Sequence, residues 1–387
     1  MPFYMQVNRR MHPFMLLLAV WVMQLLPTVL LGQSVMLINP TRLDRKGEVV
    51  SISWEMLLHK YPLLNPHQLR VTEALNGNVL PIQIEYNGAD RPLNLLVQVD
   101  LAAKQRKRLL ISAGASEPVS SKTYGRFVPE RKDDFAWEND RIAFRMYGKA
   151  LEKTPKEMAY GIDVWVKRTD RLVINERYKR GNYHEDQGDG MDYYHVGRTL
   201  GAGNCAPLWG DGICYDGTYA RWRVLDNGPL RTTFQLEYDA WLVGTDSVTV
   251  TKTISLDAGS DFNRIAVVYK SPTRPSFPVA AGVVKRKEPG GIFRNSEKEG
   301  WMGYWEPEHG KDGITGVGVF VGGKASAFQE RTDQYLLVLP TASGHSFTYY
   351  AGACWDRAGV YTEAQHWFHR IEEAKFNAKH PIRTIIE

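Results

Sequence analysis

The chain of 387 residues is 43 % hydrophobic and 24 % charged, a balance that excludes disordered, collagenous and coiled-coil proteins and allows one large β domain or two domains. Its net charge of +5 is mild; it permits an anionic ligand but does not argue for nucleic acid. Aromatic residues make up 11 %, with 34 Gly and 20 Pro, which favours strands, turns and ring-lined sites over a helix bundle.

Residues 1–32 read as a signal peptide. Arg9 and Arg10 form a basic end, Phe14–Leu31 is an apolar run broken by Gln24 and Pro27, and Gly32 is a small residue near a cleavage point. A membrane anchor is the rival reading, and Pro27 argues against it. The expected location is the periplasm, or alternatively the medium, with no membrane contact after cleavage. Export permits disulfides; Cys205 and Cys214, nine residues apart, could pair, which leaves Cys354 over.

Residues 33–125 are expected to form a small β domain. Val49–Trp54, Leu69–Val71, Ile82–Ile84 and Leu93–Val99 are short strand-like runs, and Asn76-Gly77-Asn78 is a turn. Lys104, Arg106, Lys107 and Arg108 read as a charged sheet edge. The polar residues 114–135 read as a linker. A large antiparallel sandwich is expected over 126–387, because ten runs have strand character: Arg141–Tyr147, Ile162–Lys167, Leu172–Tyr178, Tyr219–Leu225, Arg231–Trp241, Ser247–Leu256, Arg264–Tyr269, Gly316–Val321, Tyr335–Leu339 and Ser346–Gly352. The alternation is plainest at Phe234, Leu236 and Tyr238. One helix is expected near the C-terminus, opened by a Thr362/Gln365 capping box, with Trp367, Ile371 and Ala374 on its apolar face. The fold class is therefore all-β: a small N-terminal domain, a large sandwich and one C-terminal helix.

Residues 180–220 differ from the rest. His184, Glu185, Asp186, Asp189, Asp192, Tyr193, Tyr194, His195 and Arg198 crowd into fifteen positions punctuated by glycine and without periodicity, the pattern of a long functional loop. Gly201-Ala202-Gly203 resembles a dinucleotide fingerprint, but Pro207 stands where its helix must run. No cofactor is expected; a divalent cation at Asp186, Asp189 and Asp192 is the alternative, although the spacing is not that of an EF-hand. Outside the loop, Arg145 and Tyr147 share a strand face, Lys167 closes IDVWVK, and Arg221 and Arg223 share another face. Trp301, Tyr304, Trp305 and Glu306 form an aromatic-acid cluster, as do Trp355 and Asp356. An arginine in a cleft is a carboxylate clamp, and clustered rings are platforms for the apolar face of a sugar.

The run HEDQGDGMDYYHVGRTLGAG, with RIAFRMYG and YGIDVWVKR before it and YWEPEHG after it, resembles an exported family of formally unknown function from bacterial polysaccharide-utilisation clusters, and is similar to the ulvan oligosaccharide dehydratase. The resemblance implies a β-supersandwich like that of galactose mutarotases. It also implies an enzyme that eliminates water across C4 and C5 of uronate-terminated oligosaccharides.

Such a β-elimination needs a cation on the uronate carboxylate, a base for the C5 proton and an acid for the departing oxygen. His and Tyr, with reference pKa values of about 6.5 and 10, suit the last two tasks when nearby cations lower the phenol. The residues expected to supply this chemistry are His184 or His195 as base, Tyr193 or Tyr194 as acid or second base, and Arg145, Lys167 or Arg198 as clamp. Tyr147, Asp192, Arg221, Trp305 and Glu306 are further substrate contacts. The expected partner is an acidic oligosaccharide. Glycoside hydrolysis, which requires two spaced carboxylates such as Glu185, Asp192 or Glu306, and non-catalytic sugar binding are the alternatives.

Overall fold

A computed structural model describes Met1, residues 33–114 and residues 119–387. The leader expected over 1–32 lies outside these residues apart from Met1. Among the described residues no helix is long and apolar enough to cross a membrane.

The fold is all-β, and among the described residues every pair of strands is antiparallel. The N-terminal part forms two sheets around its own core. One is four-stranded, in the order Arg383–Ile386, Gln33–Ile38, Arg106–Ala113, Leu69–Glu73; the other pairs Arg45–Ser53, Asn94–Leu101 and Ile82–Glu85. Val35, Leu37, Leu95, Val97, Leu109 and Ile111 fill the space between them. Helix α1, Trp54–Lys60, packs there through Trp54 and Leu57, and Ser53 accepts from the Met56 N–H at its N-terminus. The last strand thus returns from the far end of the chain. It covers Gln33–Ile38 and, with Leu69–Glu73 on the other side, makes the basic run Arg106–Arg108 part of an interior strand rather than a sheet edge.

The large part is a two-layer sandwich. One layer is an eight-stranded sheet, in the order Arg221–Asn227, Arg231–Val243, Asp246–Asp257, Phe262–Lys270, Ser346–Trp355, Thr315–Val321, Trp301–Trp305, Ile292–Ser296. The other layer is two five-stranded sheets. The first runs from Thr123–Val128 through Asp134–Asn139, Ala143–Met146 and Asp163–Lys167 to Gly190–Met191; the second runs Gly212–Ile213, Ala202–Trp209, Ser276–Val284, Gln334–Ala342, Ala327–Glu330. A seam joins the two: the Ala202 N–H donates to the Ile162 carbonyl at 2.8 Å. Glycine is required there, because a Cβ on Gly161 would lie 2.2 Å from the Gly201 nitrogen. Phe135, Trp137, Phe144, Phe234, Val267 and Tyr349 belong to the core between the layers.

Three expectations fail on long-range contacts. The segment read as a linker carries the strand Thr123–Val128, paired along Asp134–Asn139. The run read as a strand at 172–178 is helix α2, Ile174–Arg180; Glu138 accepts from the Val173 and Ile174 N–H groups at 2.9 and 2.8 Å, which satisfies the orphan donors of its first turn. Residues 202–209, read as loop, are an interior strand whose side chains are buried on both faces, so no alternation marks them.

Helix α3, Ala364–Lys379, is where the sequence places it, against the outside of the eight-stranded sheet. Glu363 occupies its N-cap without a side-chain bond, so the Thr362/Gln365 box does not form. Trp367 stacks on Phe262 at 5.3 Å and 7°. Cβ atoms on Gly303 or Gly318 would meet Ile371 at 2.5 and 2.6 Å, so these glycines let the helix lie close to the strands. All three cysteines are free.

Candidate functional site

The segment from Gly181 to Leu200, which supplies the edge strand Gly190–Met191 of the first five-stranded sheet, is fastened by its own acids. Asp186 Oδ1 accepts from the Gly188 and Gly190 N–H groups at 2.9 Å each, and its Oδ2 pairs with Arg168 at 2.5 Å. Asp189 takes Arg180 at 3.3 Å, and its carbonyl accepts from Arg177 at 2.8 Å. Asp192 Oδ2 takes Arg145 at 3.1 Å. Each carboxylate is therefore committed to a different arginine. Among the described residues no group of three His, Cys, Asp or Glu converges to hold a metal ion.

Arg145 lies in a buried cluster on the outward face of the first five-stranded sheet, beneath α2 and the loop. Asp163 is 2.5 Å from it, Asp192 3.1 Å and Asp134 3.7 Å. The Tyr147 and Trp165 rings each lie 5.2 Å from its guanidinium carbon. Both Asp134 oxygens lack a hydrogen-bond partner among the described residues. Burial pushes the Asp134 carboxyl up to about 7, against the pull of Arg145. Burial likewise raises Asp163 and Asp192, and the Asp192 charge raises Asp163 further. His184 sits on the rim, 66 % exposed, with Nδ1 2.9 Å from the Asp192 carbonyl.

A second cluster forms where the loop meets the second five-stranded sheet and the end of Thr315–Val321. Thr315 Oγ1 donates to the Tyr193 phenol oxygen at 2.6 Å, and the His309 ring lies 5.3 Å from the Tyr193 ring. Tyr194 is buried, and its hydroxyl has no hydrogen-bond partner among the described residues. Arg286 stands 4.6 Å over its ring. Its Nε donates to Glu306 at 2.6 Å and its Nη1 to the His195 carbonyl at 2.6 Å, while Nη2 takes part in neither bond. Burial raises the Glu306 carboxyl, with Arg286 opposing. Burial weighs against the Arg286 charge, and Glu306 beside it more than restores it. Burial also raises both phenols, Tyr193 and Tyr194. The expected lowering of a tyrosine by neighbouring cations is therefore reversed, and both hydroxyls hold their protons at neutral pH. The arrangement offers an exposed imidazole, a protonated phenol and a guanidinium linked through Glu306, with the His195 side chain also exposed.

The remaining expected residues lie elsewhere. Lys167 is wholly buried and donates to Glu138 at 2.8 Å and to the Asn139 carbonyl at 2.6 Å. Arg198 is exposed and donates to the Pro155 carbonyl at 3.2 Å. Arg221 pairs with Glu237 and Asp239 at 3.1 and 3.0 Å on an exposed strand face. Trp305 packs beneath α3 rather than in a cleft, and Trp355 donates to the Asp312 carbonyl at 2.8 Å. Glu306 is the member of that aromatic-acid run that joins Tyr193 and Tyr194. Sequence reasoning did not single out Arg286, His309, Thr315, Asp134 or Asp163. Arg286 lies 91 residues from His195 in the run KRKEPGG, which reads as a solvated turn.

The chain is 28 % identical over 314 residues to "Uncharacterized protein P7" of Formosa agariphila, covering 76 % of this chain and 78 % of that one. Its fold is similar to that of an alpha-mannosidase from Enterococcus faecalis V583, with a TM-score of 0.51 at 9 % identity, over 92 % of this chain and 46 % of that one. A protein in the Glycosyl Hydrolase Family 38 from Enterococcus faecalis gives 0.47 at 8 % identity, over 92 % and 47 %. The chain thus spans about half the length of these solved structures, and the likeness to the alpha-mannosidase is one of fold. The profile of one family runs from residue 37 to residue 384, through both the N-terminal sheets and the sandwich, and by that match the chain belongs to DUF4861, a domain of unknown function.

Proposed function

We propose that the protein is a carbohydrate-active lyase of the dehydratase type, which eliminates water across C4 and C5 of a uronate at the end of an acidic oligosaccharide. The observation that carries this reading is the grouping around Glu306: the Arg286 guanidinium is fixed by Glu306 and the His195 carbonyl, and the same carboxylate acts on the Tyr193 phenol and feels the His309 imidazole, whose rings lie 5.3 Å apart. β-Elimination next to a carboxylate needs these three kinds of group together. Arg286 neutralises the uronate carboxylate as charge builds on it. An imidazole, His309 or His195, takes the C5 proton. The C4–O bond breaks, and Tyr193 gives its proton to the departing oxygen, which leaves as water. A double bond remains between C4 and C5, and the electron count is closed without a redox partner. A raised phenol suits the acid's task, because it arrives protonated at neutral pH. The likeness of fold to an alpha-mannosidase favours a sugar ligand, and the composition of the first 32 residues favours action in the periplasm.

Mass spectrometry after incubation with a panel of uronate-capped oligosaccharides tests the reading. The expected product is lighter by one water and absorbs in the ultraviolet. A gain of one water indicates a hydrolase. Chain cleavage without added water indicates a depolymerising lyase, and no change across the panel removes the enzymatic reading.

A further inference from the structure

A large groove lies away from this cluster. A cavity of about 1690 Å³ runs over the outward face of the eight-stranded sheet, between the small domain and α3. Its floor is a row of hydroxyls, Thr233, Thr253 and Ser255, on adjacent strands. Tyr350 lines it, half-buried, with its ring stacked on Phe320 at 4.5 Å and 11°.

The charges in the groove are unevenly satisfied. Each of the five lining carboxylates is already bonded within the protein. Asp257 and Glu85 hold Arg231 at 2.5 and 3.0 Å, and Glu48 holds Arg45 at 2.8 Å. Glu373 holds Arg370 at 3.3 Å, and Asp44 accepts from the Ala103 N–H at 2.8 Å. On the cationic side, Arg141 and Arg370 share one buried carboxylate, Asp261, each at 2.7 Å. Arg264 and Lys46 line the groove, exposed and outside every ion pair among the described residues. The surplus in the groove is positive.

The size exceeds the roughly 300–1,000 Å³ of an ordinary small-molecule site, so the occupant is extended. A helical peptide has little purchase here. The edge strand Arg45–Ser53 borders one side, but the floor is a sheet face of hydroxyls, not the apolar trough that a helix requires. Hydroxyls, a half-exposed ring and spare cations are what a chain of charged sugars uses.

We propose that this groove binds an extended anionic glycan, with Arg264, Lys46 and the Arg141–Arg370 pair on its carboxylate or sulfate groups and Tyr350 against a sugar ring. The proposal rests on the groove alone and is independent of water elimination at Arg286. Calorimetry on the full chain tests it with short and long oligogalacturonates, sulfated uronate oligomers, neutral cello-oligosaccharides, an oligodeoxynucleotide and a polyglutamate peptide. At least one acidic glycan is expected to bind more tightly as it lengthens and more weakly as salt rises, and the two acidic series show whether carboxylate suffices or sulfate is needed. Arg264→Glu and Lys46→Glu are each expected to weaken the long chain by about tenfold, the loss of one charge-assisted contact. Both side chains are exposed, so the denaturation midpoints stay unchanged and a lost fold is distinguished from a lost contact. Equal binding of neutral chains, unchanged affinity in both variants, or binding of only the nucleotide or the peptide would overturn the proposal. If long acidic chains bind here while no oligosaccharide is turned over, the dehydratase reading fails and this one stands. Turnover of a short substrate without groove binding has the opposite meaning.

Discussion

Asp134 gives the most quantitative test of the electrostatics. It is fully buried, both its oxygens lack a hydrogen-bond partner among the described residues, and the nearest cation is Arg145 Nε at 3.7 Å. Its carboxyl rises from an ordinary 3.8 to about 7. A displacement of that size corresponds to on the order of 4 kcal/mol between the two protonation states. Because the folded value lies above the unfolded one, the native state binds the proton more tightly. The stabilising contribution is complete below about pH 4 and is lost as pH rises through about 7. Asp134→Asn removes the titration and keeps the shape. Arg145 remains paired, with Asp163 and Asp192 still beside it. The variant is expected to be more stable than the wild type at pH 8 by roughly 1–3 kcal/mol, the linkage value discounted for burying an amide that also lacks hydrogen-bond partners. It should also show a flatter dependence of stability on pH between 5 and 8. Urea denaturation across this range, followed by tryptophan fluorescence, measures both quantities. A variant less stable than the wild type at pH 8, with an unchanged slope, would refute the reasoning, because Asp134 would then be ionised and held by contacts that the structure does not contain.

Other perturbations have definite expected outcomes. Arg286→Met leaves Glu306 buried without its cation; stability is expected to fall by about 2–4 kcal/mol and turnover of a uronate-capped substrate by a hundredfold or more. Adding Glu306→Leu should restore much of the stability and none of the turnover, which a double-mutant denaturation series with parallel rate assays checks. Lys167→Met removes the cation from the buried Glu138 and is expected to cost about 3–5 kcal/mol, only partly recovered in Lys167→Met/Glu138→Leu because the Val173 and Ile174 N–H groups then lose their acceptor, as read from denaturation midpoints. Gly161→Ala forces a Cβ against the Gly201 nitrogen, opens the seam between the two five-stranded sheets, and should give little folded protein by circular dichroism and size exclusion.

Much of the sandwich was legible because one face of each strand meets the core and the other meets solvent. Phe234, Leu236 and Tyr238 point inward from a strand whose alternate residues are less buried, and the period of two carries the signal. The signal disappears where both faces are covered, as at Ala202–Trp209. It misleads at 172–178, where a helix rests on donors satisfied by Glu138 from another strand. The rich loop drew attention correctly to Tyr193 and Tyr194, but most of its acids turn out to be fasteners, each tied to its own arginine. Trp305 looked like a sugar platform and is instead covered by α3, since a tryptophan on a strand carries no mark of what will pack over it. Arg286 could not be found from local pattern. Its meaning comes from Glu306, twenty residues away, and from the His195 carbonyl, 91 residues away.

The central claim is that Arg286 receives the carboxylate of an acidic sugar beside Tyr193. A crystal structure of the Tyr193→Phe variant, which lacks the proton donor, soaked with a uronate-capped oligosaccharide tests this most directly. The account predicts the terminal carboxylate on the Arg286 guanidinium, with C4 facing position 193 and an imidazole over C5. A uronate bound with its carboxylate away from Arg286, or a vacant cluster with sugar found only in the groove over the eight-stranded sheet, would contradict it.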